Sequence, residues 1–112
     1  MTPEGKVKAK IKAYLKTIPN CWFFMPIGGP YTTHGVPDIV GSVDGYFFAI
    51  ECKAPGKEDN TTANQNAVLG MIRIANGLAL VTSDVADVKA IFAARGWDTN
   101  KVEQCSALSR HC

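Results

Sequence analysis

The chain has 112 residues, enough for one hydrophobic core, so we expect a single domain. Hydrophobic residues make up 46% of the chain and charged residues 20%, as in ordinary globular domains, and no apolar run approaches the roughly 18 residues of a membrane span. The formal net charge of +2 is too small to indicate a nucleic-acid-binding protein by itself, and the first residues do not resemble a secretory signal, so we expect a cytoplasmic protein.

The first predicted element is a helix that begins after Thr2, with Pro3 in its first turn, and ends at Pro19 and Asn20. Its apolar residues recur with helical spacing: Val7, Ile11, Tyr14, Leu15 and Ile18. Glu4 falls on this apolar side and is expected to project toward the protein. It could also be a first-turn acid that complements the helix dipole.

Lysines occupy the opposite side of this helix, and only Glu4 offsets them within residues 1–20. We expect Lys6, Lys10 and Lys12 to contact the phosphates of DNA, although a solvated helix face would give the same pattern.

Three strands are predicted next. The segment CWFFMPI (21–27) precedes a loop rich in glycine and proline that exposes His34, a surface residue able to touch a phosphate. Strands over 38–43 and 46–53 flank Asp44-Gly45, a strong two-residue hairpin signal.

The remaining elements are a helix that begins near Thr62 and stops at Gly77, the strand LALVT, and a third helix that ends at Gly96. The third helix is capped by Ser83 or Asp84. The order α-β-β-β-α-β-α predicts an α/β domain with a mixed sheet over residues 1–96, followed by a C-terminal tail over 97–112.

The cysteines form no C-x-x-C pair, so neither a disulfide framework nor a structural zinc site is indicated. In the tail, Cys105, His111 and Cys112 could contribute to a metal site, or they could be incidental residues of a mobile segment.

The hairpin brings three charged residues together. A tight turn at Asp44-Gly45 places Asp38 directly opposite Glu51, with Lys53 on the same sheet face as Glu51 and diagonal to Asp38. Two facing carboxylates destabilise a sheet unless a cation lies between them. Mg²⁺ is commonly held by one or two carboxylates, which favours a metal site, whereas a strand-end salt bridge from Lys53 would leave one acid unexplained.

These residues resemble a known family. Pro37-Asp38, followed after a hairpin by Glu51-Cys52-Lys53, is similar to the P-D…(D/E)-x-K signature of restriction-endonuclease-like nucleases. Adding Glu4 and Gln65, the chain resembles the VRR-NUC family, especially its short stand-alone phage members, over about residues 3 to 95.

The resemblance implies a restriction-endonuclease-like core and a Mg²⁺ or Mn²⁺ site. Its ligands would be Asp38, Glu51 and the Cys52 backbone carbonyl, with Glu4 supporting the metal directly or through water. Lys53 would position or deprotonate the attacking water. Gln65 would orient Lys53 or that water, although Thr62-x-x-Gln65 is also a capping box.

The function implied is a metal-dependent DNA endonuclease acting on branched or structured DNA, such as four-way junctions or flaps. Alternatives are an end-directed or general nuclease on linear DNA, and a DNA-binding module that does not cut. Because symmetric cleavage of a four-way junction needs two sites, we expect a homodimer, with YFFAIEC and Trp97 supplying nonpolar surface.

Overall fold

The computed structural model describes residues 1–29 and 33–98, and its elements follow the predicted order, which confirms a small α/β domain with a mixed sheet. The elements are α1 (Pro3–Leu15), β1 (Cys21–Phe24), β2 (Ile39–Val43), β3 (Tyr46–Cys52), α2 (Ala63–Ile74), β4 (Leu78–Thr82) and α3 (Val85–Ala94). The sheet order is β1-β2-β3-β4; β1, β2 and β3 are antiparallel neighbours, and β4 runs parallel to β3. Among these described helices, none is long and apolar enough to cross a membrane.

The β2–β3 hairpin has the register that the sequence predicts. Val43 pairs with Tyr46 and Ile39 pairs with Ile50 across a two-residue turn. Both turn residues have positive φ, 52° at Asp44 and 85° at Gly45, as a type I′ hairpin turn requires. One step beyond the last pair, this register sets residue 38 opposite residue 51.

The two faces of the sheet are covered by different helices. Phe48, Ile50 and Cys52 of β3 pack into the core cluster with residues of α1 and α3. The alternate residues of β3 face α2: Phe47 borders a groove lined by α2, and Glu51 accepts a hydrogen bond from it. Glu51 therefore lies on the α2 face, away from the main core.

Four elements are shorter than predicted. Strand β2 begins one residue later, after Asp38, and strand β3 ends one residue earlier, before Lys53, whereas α1 and β1 are shortened by more. Helix α1 ends at Leu15, and its chain continues through a tight turn in which Ile18 N–H donates to the Leu15 carbonyl at 3.2 Å. A residue that precedes proline disfavours helical backbone, so the helix ends before Pro19 is reached. Strand β1 ends at Phe24 rather than at residue 27, because Pro26 has no N–H to donate to a neighbouring strand.

Trp97, which the sequence assigned to the tail and to dimer surface, belongs to the core and is 3% exposed. Gly96 has a φ of 70°, and Trp97 N–H donates to the Phe92 carbonyl at 2.8 Å, which is the Schellman ending of α3. This ending folds the chain back, so the Trp97 ring lies edge-on against Phe92 at 5.3 Å. The packed domain thus continues to Trp97, which supplies no exposed dimer surface. The tail cysteines and His111 lie outside the described residues.

Helix α2 ends in the same motif, one residue earlier than predicted. Asn76, not Gly77, takes the left-handed conformation with a φ of 67°, and Gly77 N–H donates to the Ile72 carbonyl at 2.9 Å. At Gly77 the absence of a side chain leaves room for its neighbours, since a Cβ there would lie 2.9 Å from the Ile72 side chain and 3.1 Å from the Phe47 ring.

Candidate metal centre

Asp38 directs its two carboxylate oxygens to different partners. Oδ2 accepts a hydrogen bond of 2.8 Å from Cys52 N–H on β3, and Oδ1 lies 3.5 Å from the Nζ of Lys8 on α1. The N–H and carbonyl of one strand residue point to the same side of the strand. The Cys52 carbonyl therefore lies on the Asp38 side of β3, where the resemblance places a metal ligand.

Glu51 is a buried acid, only 4% exposed, with two unlike oxygens. Oε2 accepts a hydrogen bond of 2.9 Å from the Gln65 amide and lies 3.3 Å from Lys53 Nζ. Oε1 is buried and has no hydrogen-bond partner among residues 1–29 and 33–98. Burial and then the charge of Asp38 raise the pKa of Glu51, whereas Lys53 opposes that rise. Burial and the neighbouring charge make the ionised form of Glu51 unfavourable, and a bound cation would stabilise that form.

Lys53 and Gln65 are locked together beside this acid. The ammonium of Lys53 donates to Gln65 Oε1 at 3.2 Å, and the residue is only 9% exposed. The same Gln65 oxygen accepts from Thr62 N–H at 2.9 Å, while Gln65 N–H donates to the Thr62 hydroxyl at 3.1 Å. Both alternatives that the sequence left open for Gln65 are therefore present at once. The capping box fixes the side chain, and the fixed side chain holds Lys53.

Glu4 lies at the edge of the same cluster. It is partly buried in the first turn of α1, and its charge contributes to the raised pKa of Glu51. It also contributes to the pKa of the Cys52 thiol, which burial and then the charge of Asp38 raise to about 12. Glu4 is therefore near enough to act on the cluster through its charge, and it also keeps its favourable position at the helix N-terminus.

The loop before Asp38 is seated directly on the N-terminus of α2. Gly35 has a φ of 82°, and a Cβ at this position would overlap the Asn64 carbonyl and lie 2.7 Å from Gln65 N. Only glycine fits this contact without displacing one of the two segments. The glycine two residues before Pro37 thus couples the position of Asp38 to that of Gln65.

The predicted phosphate-binding lysines do not form one group. Lys6 and Lys10 are exposed and line a pocket of about 310 Å³ together with Val85 at the start of α3. Lys12 follows Lys8 by four residues, so it lies on the flank of α1 that faces Asp38. Lys6 and Lys10 are therefore separated from Lys12 by the width of the helix.

His34 is exposed and stands apart from the acids. It lines a separate pocket of about 270 Å³ formed by residues of the β1–β2 connection. No contact joins it to Asp38 or Glu51, so the structure does not bring it into the cluster.

Lys8 is the site residue that the sequence reasoning missed. It lies on the charged side of α1, but it follows Glu4 by four residues and so occupies the flank nearest the apolar face. That spacing was the available signal.

The protein groups fit a hard divalent cation that retains several waters. Asp38 Oδ1, Glu51 Oε1 and the Cys52 carbonyl are oxygen ligands, the type of metal ligand that Mg²⁺ and Mn²⁺ prefer. Within the described residues, no group of three or more His, Cys, Asp or Glu side chains is placed so that it could hold a metal ion. No family model matches the chain, and a search of curated proteins gave no match.

Proposed function

We propose that this protein is a Mg²⁺- or Mn²⁺-dependent DNA endonuclease with a restriction-endonuclease-like core, similar to the VRR-NUC nucleases. The observation that supports the proposal is the buried Oε1 of Glu51 beside Asp38, which has no hydrogen-bond partner within the part of the chain that the structure describes. A purely structural acid would be expected to satisfy both oxygens, because an unpaired buried acceptor costs about 1–3 kcal/mol.

The arrangement matches the needs of phosphodiester hydrolysis. A divalent cation would supply Lewis-acid polarisation of the phosphate and a more acidic water. Asp38 and Glu51 would hold that cation through the oxygens that the protein leaves available. Glu4 would add negative charge at the rim of the site.

Lys53 is suited to the second catalytic role. Its ammonium is compact, nearly buried and held by Glu51 and Gln65, so it would stand in a fixed place beside the attacking water and the phosphate. Gln65 would act by positioning Lys53. These two contacts reduce the entropy cost of orienting a long side chain at the moment of reaction.

The nuclease proposal is tested by pairing Lys53→Met with Lys57→Met. Lys57 is an exposed lysine four residues further along, so it controls for the loss of one positive charge. With saturating Mg²⁺ or Mn²⁺, Lys53→Met is expected to lower turnover about 10²-fold or more, whereas Lys57→Met remains near wild type. Wild-type cleavage by Lys53→Met would remove Lys53 from the mechanism. DNA binding without any cleavage by the wild type would support the non-catalytic module instead.

We propose branched DNA as the substrate class and a homodimer as the assembly, because paired cuts across a four-way junction need two sites. A matched panel of four-way junction, flap, nicked and linear duplex distinguishes this from a general or end-directed nuclease. Light scattering at micromolar concentration measures the assembly. A monomer that introduces single nicks in junctions would contradict the dimer.

A further inference from the structure

In each of the two facing acids, one carboxylate oxygen accepts a hydrogen bond from the protein, and the other accepts none among the described residues. Asp38 Oδ2 is held by Cys52 N–H, and Glu51 Oε2 is held by Gln65 and Lys53. The other oxygen of Glu51 has no hydrogen-bond partner among the described residues, and the other oxygen of Asp38 lies 3.5 Å from Lys8 Nζ. Lys8 therefore contacts the same Asp38 oxygen that a metal ion would use.

The two lysines of the cluster are held very differently. Lys53 has a side chain that is 11% exposed, and its ammonium is fixed by Glu51 and by Gln65. Lys8 reaches Asp38 from α1 with a side chain that is 27% exposed, and among the described residues Asp38 is the only acid within ion-pair distance of its ammonium. A long, partly exposed side chain with one ionic contact can leave at small energetic cost.

Lys8 reduces the excess of negative charge in the cluster. Glu4, Asp38 and Glu51 bring three negative charges to the cluster, and Lys53 is directed at Glu51. With Lys53 alone, three acids would share one positive charge. Lys8 supplies a second positive charge, which leaves one net negative charge in the cluster. Its charge also acts to lower the pKa of the Cys52 thiol, whereas the acids raise it.

We propose that Lys8 is a built-in counter-ion that competes with the divalent cation for Asp38 Oδ1. It pairs with Asp38 when no divalent cation is bound and is displaced when one binds, so it weakens metal affinity while protecting the acidic cluster. This inference rests on the proposed metal site. It assigns to Lys8 an effect on metal binding and not a place among the catalytic residues.

The test compares Lys8→Met with Lys16→Met in the full chain, without DNA. Lys16 is the C-cap residue of α1, eight residues after Lys8 and about 12 Å away along the helix axis, and its loss changes net charge equally. Mn²⁺ affinity is measured by calorimetry or by the electron paramagnetic resonance of free Mn²⁺, and stability is measured in EDTA by urea unfolding. Methionine preserves helix propensity at both positions.

The expected results have opposite signs. Lys8→Met should bind Mn²⁺ about threefold to tenfold more tightly than wild type, since an ion pair and a cationic neighbour are both lost. In EDTA the same variant should unfold at lower urea than Lys16→Met, because the acids lose their counter-ion. Lys8→Arg, which keeps the charge, should restore affinity close to wild type.

Two failures are distinguishable. A wild type that binds no Mn²⁺ would overturn the metal site, the nuclease proposal and this inference together. A wild type that binds Mn²⁺, beside a Lys8→Met variant whose affinity is equal or weaker than that of Lys16→Met, would overturn the role of Lys8 alone and leave the metal site standing.

Discussion

The interaction between Asp38 and Glu51 should shift from repulsion toward attraction when a divalent cation binds. A double-mutant cycle with Asp38→Asn, Glu51→Gln and the double variant measures this interaction as a coupling free energy of unfolding. Both substitutions remove a charge at nearly constant shape. Asparagine retains an oxygen that can accept from Cys52 N–H, and glutamine retains one that can accept from Gln65.

The magnitude follows from the hairpin register. Residues directly opposite on neighbouring strands have Cβ atoms about 5 Å apart, and two unit charges at that distance repel by about 1–3 kcal/mol for effective dielectric constants of 20 to 80. In EDTA, either substitution alone removes this repulsion. The double variant should therefore gain about 1–3 kcal/mol less than the sum of the two single changes.

Mn²⁺ adds a second term that only the wild type receives. At a concentration one hundred times the dissociation constant, binding stabilises the wild type by about 2.7 kcal/mol, whereas a variant that lacks either ligand gains little. The coupling free energy should then shift by the same 2.7 kcal/mol between EDTA and Mn²⁺. The individual costs of the substitutions cancel in this difference, which makes the shift a direct measure of shared ligation.

Urea unfolding of the four proteins, with and without Mn²⁺, provides the data. The variant Asp59→Asn, at an exposed acid outside the cluster, controls for non-specific effects of Mn²⁺. A coupling free energy that is the same in EDTA and in Mn²⁺, beside a wild type that Mn²⁺ does not stabilise, would mean that the two acids are structural and that the reasoning is wrong.

Two further predictions concern the surroundings of the acids. Gly35→Ala should lower the free energy of unfolding by about 1–3 kcal/mol more than Gly45→Ala, because both have positive φ but only Gly35 lies against backbone; equal losses in urea unfolding would contradict this. If the α1 lysines contact DNA phosphates, Lys6→Gln with Lys10→Gln should reduce the slope of log K against log salt by about 1.8, and Lys12→Gln by about 0.9. An unchanged slope in DNA-binding titrations would assign the lysines concerned to the solvated surface.

The sequence predicts the centre of the cluster because its determinants are local. The turn at Asp44-Gly45 sets the register of two short strands, and the register alone places Asp38 opposite Glu51. The capping box fixes Gln65 by a three-residue rule in the same way. Properties that depend on one turn or one cap can be read from the residues that form it.

The missed features depend on how separate elements pack. Lys8 reaches Asp38 across 30 residues of chain. Its spacing from Glu4 places it on the flank nearest the apolar face, but that spacing does not state that this flank meets β2. Trp97 is buried because the Schellman ending of α3 turns it onto Phe92, a contact that the sequence reasoning stopped short of by ending the domain at Gly96. Both features lie where a helix packs against another element. The spacing of residues along a helix gives the direction of each side chain around the helix axis, but it does not give the element that the side chain contacts.

The arrangement also explains why the acids are held by backbone and amide groups rather than by lysines alone. Cys52 N–H holds one oxygen of Asp38, and Gln65 holds one oxygen of Glu51, so each carboxylate is oriented before any cation arrives. A neutral hydrogen-bond donor orients a carboxylate and leaves its negative charge in place, whereas a lysine at every carboxylate oxygen would neutralise that charge. Lys8 neutralises Asp38 through a contact that can be given up, and Lys53 is kept by Gln65 at a fixed place. In the proposed metal site, such an arrangement would keep its geometry while its charge balance changes, as reversible metal binding would require.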